Sequence, residues 1–83
     1  MSYYVYIIRS EKSLKYYTGS SEAPERRLKE HNWSRTPSTK HGITWVLVYV
    51  EEYETKSEAV KREYEIKRKK SRKYIEYLIS SVC

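Results

Sequence analysis

The chain has no aspartate, no phenylalanine and a single cysteine, with only two glycines and two prolines in 83 residues. Each shortage excludes something. The lone Cys83, the last residue, rules out a disulfide framework and a Cys-rich zinc site, and suits a reducing, cytoplasmic compartment. So few glycines and prolines exclude a flexible low-complexity chain. No apolar run approaches the roughly 18–20 residues of a membrane span, and Met1-Ser2-Tyr3-Tyr4 does not read as a signal peptide. With Asp absent, any metal-binding carboxylate must be one of 11 glutamates. The length sets one domain over 1–83, with a thin core that buries roughly 60–65% of the unfolded surface.

What is present is positive charge and tyrosine. The formal net charge is +6, and the chain has ten Tyr and two Trp. A buried Tyr hydroxyl needs a partner, so so many tyrosines demand a polar accommodation inside the fold. The charge is concentrated. Residues 56–74 hold nine positive side chains against three glutamates, which accounts for the whole net charge. Such a block is the footprint of a polyanion binder, with nucleic acid the commonest polyanion. A solvated helix face is the competing reading. A membrane-surface helix fits poorly, because the block has no broad apolar face.

The β-branched and aromatic residues 3–9 predict a strand, apolar at nearly every position and so central in its sheet. Residues 15–19 predict a second strand, joined too tightly for a helical crossover and therefore antiparallel. Ser20-Ser21-Glu22-Ala23-Pro24 predicts a helix entry with a serine cap and Pro24 in the first turn. That helix runs to about His31, with Asn32 at its end. Residues 33–43 lack periodicity and read as a loop. Residues 44–53 predict the clearest strand, with Trp45 in the core. Thr55 and Glu58 have capping-box spacing before a helix over 56–69. A last helix over 71–81 carries Tyr74, Ile75, Leu78, Ile79 and Val82 on one stripe. The order β-β-α-β-α-α defines an α+β fold, a small three-stranded antiparallel sheet flanked by helices.

Two positions break the local pattern. On the helix over 56–69 the apolar residues are Ala59, Val60, Tyr64 and Ile66, and Glu63 falls among them. A carboxylate facing a sheet must be hydrogen-bonded, paired or metal-bound. A bridge to an Arg or Lys at the edge of the stripe is the plainer account. On the helix over 24–31, Arg27 and His31 are spaced i, i+4, and a guanidinium beside an imidazole suits a phosphate ester under attack. Ordinary surface pairing is the alternative there. Tyr6 and Tyr17 fall on adjacent predicted strands and can be neighbours. His31 and His41 lack metal-pair spacing, the serines lack a nucleophile elbow, and there is no phosphate-binding Gly loop.

Taken together these residues resemble the GIY-YIG nuclease superfamily, over nearly the whole chain. Its Gly-Ile-Tyr motif matches Tyr4-Val5-Tyr6, and its Tyr-Ile-Gly motif matches Tyr17-Thr18-Gly19. Its arginine, eight residues past that glycine, falls on Arg27, and its metal-binding glutamate falls on Glu63. The chain is most similar to small bacterial members that consist of this domain alone and carry a His-Asn pair, here His31-Asn32. It departs from the pattern at Tyr4 and Thr18. Lys67 stands in the neighbourhood of a family asparagine, and Ser38-Thr39-Lys40 replaces a Lys-Tyr-Thr-like segment.

The resemblance implies a metal-dependent endonuclease that hydrolyses DNA phosphodiester bonds, a chemistry of repair and recombination. Glu63 would hold one Mg²⁺ or Mn²⁺. Arg27 would neutralise charge on the phosphate. Tyr6, or else Tyr17, would orient or deprotonate the attacking water, with His31 assisting. A free Tyr titrates near pH 10, so acting as base needs a roughly three-unit depression or a relayed proton. Lys67, Arg68, Lys69, Lys70, Arg72 and Lys73 are the candidate phosphate contacts to DNA. The alternatives are a nucleic-acid-binding module with little or no turnover, and a protein-interaction domain whose basic helix meets an acidic partner. Trp33 or Trp45 is the candidate for stacking on a base.

Overall fold

The structure is a computed structural model that describes residues 2–33 and 44–81. Its elements are β1 (Tyr3–Ser10), β2 (Tyr16–Ser21), α1 (Pro24–Asn32), β3 (Trp45–Tyr53), α2 (Lys56–Lys69) and α3 (Arg72–Ser80). The order is the β-β-α-β-α-α expected, and the sheet is antiparallel with strand order β2-β1-β3. Most of the loop expected over 33–43, with Ser38-Thr39-Lys40 and His41, lies outside the described residues, as do Val82 and Cys83.

β1 is central because it has no polar face to give to water. Val5, Ile7 and Ile8 are fully buried and Tyr6 is 1% exposed. Alternation along the strand divides them between two cores. Val5 and Ile7 pack with Ala59, Ile66 and Leu78 under α2 and α3. Tyr6 and Ile8 pack with Trp45, beside Leu28 of α1. The sheet is thus covered on both faces, and β2 and β3 are left as its edges. Trp45 is buried, as its place on the strongest strand predicts.

Local chemistry sets the ends of the helices. The Thr55 hydroxyl accepts from the Glu58 backbone N–H at 3.2 Å, and Ser71 does the same for Tyr74. Caps of this kind contribute about 1 kcal/mol each. Between α2 and α3, Lys70 turns the chain with a left-handed φ of 47°. The entry to α1 differs from expectation. Ala23 occupies the N-cap and no side chain caps the helix, while Ser21 Oγ accepts from the Ala23 N–H at 3.0 Å. The serine folds its own turn, and Pro24, which has no N–H to satisfy, opens the helix.

The inward face of α2 carries charge as well as apolar groups. Val60 is 41% exposed and Tyr64 is 67% exposed, while Ala59 and Ile66 are buried. The side chains of Arg62 and Glu63 are only 21% and 18% exposed. Each therefore needs a partner. Arg62 finds Glu51 on β3, donating from Nε at 3.0 Å and from Nη2 at 3.3 Å. Tyr49 and Tyr53 donate their hydroxyls to the same carboxylate. This polar knot fixes the rotation of α2 on the sheet and leaves the next residue, Glu63, turned toward β2.

Candidate functional site

The site is built along β2. In the β1–β2 ladder Tyr6 stands opposite Gly19 and Ile8 opposite Tyr17. Tyr6 and Tyr17 therefore lie diagonally on one face of the sheet, the face covered by α1. Gly19 has an ordinary φ, so conformational freedom is not what requires it. Space is: a Cβ there would meet the Tyr6 hydroxyl at 2.5 Å and its ring at 2.7 Å. The absent side chain lets the Tyr6 ring cross the neighbouring strand toward the sheet edge.

α1 delivers the partners of Tyr6. His31 is fully buried, and its Nε2 lies 3.0 Å from the Tyr6 hydroxyl. The His31 ring is tilted against that of Tyr17, with centroids 5.0 Å apart. Arg27, one helical turn earlier, pairs with Glu30 and lies close enough to Tyr6 for its charge to favour the ionised hydroxyl. The Tyr6 hydroxyl and His31 Nε2 share a hydrogen bond whose donor is set by the His31 tautomer. The end of α1 is pinned by Asn32, whose amide pairs with the backbone of Trp45 as a strand would. Its Nδ2 donates to the Trp45 carbonyl at 3.0 Å and its Oδ1 accepts from the Trp45 N–H at 2.6 Å.

Glu63 reaches the same strand edge from the opposite face. It accepts from Ser20 Oγ at 2.6 Å and from Lys67 Nζ at 2.6 Å. Lys67 also lies 5.5 Å over the Tyr17 ring, so it bridges the two faces around the edge. Tyr6, Tyr17, Arg27, His31 and Glu63 thus form one contiguous group, although they come from four elements.

The electrostatics of the group are uneven. Burial, and then the charge of Arg27, push the His31 imidazole below its ordinary pKa, so it is neutral near pH 7. Burial drives the Tyr6 hydroxyl the other way, to about 12, against the pull of Arg27 and with a smaller push from Tyr17 and Glu63. Tyr6 is therefore a protonated hydroxyl at neutral pH, not a phenolate. The depression that a direct base role requires is not there.

A hard divalent cation fits the donors present. Glu63 supplies a partly exposed carboxylate and Ser20 a hydroxyl beside it, all oxygen. Among the described residues no group of three or more His, Cys, Asp or Glu is placed to hold a metal. Lys67 is 47% exposed and can leave the carboxylate.

The basic residues divide between the β2 side, where Lys67, Lys70 and Arg72 line one groove, and the side of Tyr74. Lys67 turns to β2, and Arg72 lies 5.3 Å over the Tyr16 ring on that side. Lys69 lies 5.0 Å over Tyr74, and Arg62 is tied to Glu51. Arg68 and Lys73 are exposed. Sequence reasoning missed what Ser20 and Asn32 bind, the Glu51–Arg62 pair and the reason for Gly19. Of these, only Asn32 carried a signal, as the partner of His31 at the helix end.

The small β2-β1-β3 antiparallel sheet flanked by helices is the α+β architecture of a GIY-YIG-like domain. The family model described as the GIY-YIG catalytic domain matches residues 2–75, and the chain belongs to that family. Members of this family are nucleases that generally use a divalent metal. The chain is similar to a "UPF0213 protein" of Staphylococcus aureus (strain Mu3 / ATCC 700698), 48% identical over 68 residues, which is 80% of each chain. The same identity and coverage hold for the relative from Staphylococcus aureus (strain N315). Among solved structures, it is similar to the solution NMR structure of a UPF0213 protein from Bacillus halodurans. The two share 33% sequence identity with a TM-score of 0.59, over 96% of this chain and 84% of that one.

Proposed function

We propose that the protein is an endonuclease that hydrolyses DNA phosphodiester bonds with the help of one divalent cation, Mg²⁺ or Mn²⁺, held at Glu63. The observation that carries this reading is the convergence of Tyr6, Arg27, His31 and Glu63 on one strand edge. An arginine and a carboxylate reach that edge from opposite faces of the sheet, one suited to a phosphate and the other to a cation. The bound cation would supply Lewis-acid stabilisation of charge on the phosphate and the leaving oxygen.

The protein's own groups divide the remaining work. The Arg27 guanidinium neutralises charge growing on the non-bridging oxygens. The attacking water passes its proton to the Tyr6 oxygen as the Tyr6 proton moves to His31 Nε2. Neutral His31 can accept it, and no free phenolate is needed. This relay is how a tyrosine with a raised pKa serves the reaction. Tyr17 holds the His31 ring and is the second hydroxyl candidate. Lys67, Arg68, Lys69, Lys70, Arg72 and Lys73 supply attraction to the DNA backbone, which favours weak sequence selectivity. The chain has cytoplasmic DNA as its substrate in this reading.

The test is a cleavage screen over branched, nicked and single-stranded DNA with Mg²⁺ or Mn²⁺. Glu63→Gln should abolish cutting and retain DNA binding, and Arg27→Ala should cut at least about a hundredfold more slowly. A Glu63→Gln protein that cuts like the parent would remove this site. A parent that binds DNA and never cuts would leave the binding-module reading, which the occupied state of Glu63, between Ser20 and Lys67, favours.

A further inference from the structure

Beside the candidate cleavage site, a groove of about 440 Å³ opens between β2 and the turn from α2 to α3. Its walls carry four cations, Lys15, Lys67, Lys70 and Arg72, and two tyrosines, Tyr16 and Tyr17. Ile66 and Ile75 form its floor, and no residue lining it is acidic. It shares Tyr17 and Lys67 with the cluster around Tyr6, so the two are continuous.

Two of the four cations lie over aromatic rings. The Arg72 guanidinium lies over the Tyr16 ring and donates from Nε to Glu76 at 3.1 Å. With Nε engaged, the terminal Nη groups carry the donors suited to a phosphate. Lys67 lies over Tyr17, the next residue along β2. A guanidinium already stacked loses less side-chain freedom when it takes an anion. By contrast Lys56 and Lys61 are exposed and line neither this groove nor the Tyr6 cluster.

We propose that this groove is a second phosphate subsite. It takes the backbone phosphodiester next to the one that is cut, on the same DNA strand, with Arg72, Lys70 and Lys15 as its ligands. The description of the subsite as flanking rests on the nuclease reading; the binding itself does not. Lys67 and Arg72 each keep a glutamate on their outer side, yet no acid lines the groove, and four cations on its walls select an anion. Continuity with the Tyr6 cluster selects one joined to the scissile phosphate, and a groove of this size admits one strand.

The test compares two charge-matched variants in the Glu63→Gln background without metal, so that cleavage plays no part. Lys15→Gln/Arg72→Gln removes two groove cations, and Lys56→Gln/Lys61→Gln removes two elsewhere. Anisotropy with a labelled single-stranded oligonucleotide is read across a salt series. The groove pair should weaken binding about tenfold and lower the slope of log K against log salt by about 1–2, while the distant pair should change either little. Equal weakening by the two pairs means diffuse attraction and overturns the subsite. Should the groove pair melt early, Lys15→Glu and Lys61→Glu, both at exposed positions, repeat the comparison singly. If the parent never cuts DNA but the two pairs still differ, the nuclease reading falls and the subsite stands. If the parent cuts and the pairs match, the reverse holds.

Discussion

Gly19 faces Tyr6 across the β1–β2 ladder, and a single added carbon at Gly19 would stand 2.5 Å from the Tyr6 hydroxyl. The clash is with a buried ring wedged among Ile8, Trp45 and Leu28, not with a mobile chain end. Gly19→Ala must therefore move Tyr6, the β2 edge or both. Overpacking of this kind costs roughly 1–3 kcal/mol. Thermal denaturation should show a lower midpoint for Gly19→Ala, and cleavage should fall because the Tyr6–His31 contact is displaced. Tyr6→Leu removes the obstructing ring. In the double variant the two effects should be markedly less than additive. A Gly19→Ala protein that melts with the parent would show that the ring is not fixed where the fold places it.

The opposed shifts of His31 and Tyr6 give stability two limits in pH. His31 has its folded pKa depressed, by burial first, below the ordinary 6.5. Its contribution is complete above that value and is lost as pH falls through the folded pKa, because the unfolded chain binds the proton more readily. Tyr6 and Tyr53 are raised from 10.0 to about 12. Tyr49 is raised as well, by burial and then by its bond to Glu51. Their contribution is complete below about pH 10 and is lost between about 10 and 12. Denaturation midpoints across pH should fall at both ends. His31→Gln should flatten the acid limb, and Tyr6→Phe should soften the alkaline one. The relay adds a kinetic mark: cleavage should fall on the acid side as His31 takes up a proton. An acid limb that survives unchanged in His31→Gln would assign it to another group.

The element order was legible because each strand and helix has a strong local cause. The apolar run Tyr3–Ile8 has no polar face and can only be a central strand, and Thr55 and Glu58 announce α2 three residues apart. The site was legible as a set of residues, since four elements each contribute one or two distinctive side chains. Its energetics were not. How hard Tyr6 is to ionise depends on how deeply the fold buries it, and the letter alone does not carry that depth. Helix rotation was legible only in part. Spacing put Glu63 with Ala59 and Ile66 on the sheet-facing side, but gave no sign that Val60 and Tyr64 face water or that Arg62 is held by Glu51. Charge density showed a basic block, but not that Lys69 and Lys67 leave on opposite sides of the helix.

Lys67 is where these threads meet, because its ammonium holds one oxygen of the carboxylate that a divalent cation would need. Ammonium and metal compete for Glu63, so Lys67 should weaken metal binding while it strengthens DNA binding through the groove. Lys67→Met keeps the length of the side chain and removes the charge. Its cost in stability should be small, within about 1 kcal/mol, since the pair is half exposed on the lysine side. Calorimetric titration with Mn²⁺ in the absence of DNA should show binding on the order of three- to tenfold tighter, equivalent to about 1 kcal/mol from one released charge-assisted hydrogen bond. Anisotropy on the same variant should show weaker binding of the oligonucleotide. The two readouts move in opposite directions only if one ammonium serves both sites. A variant that loses metal and DNA affinity together would make Lys67 a structural prop of α2, and one that changes neither would place it outside the site.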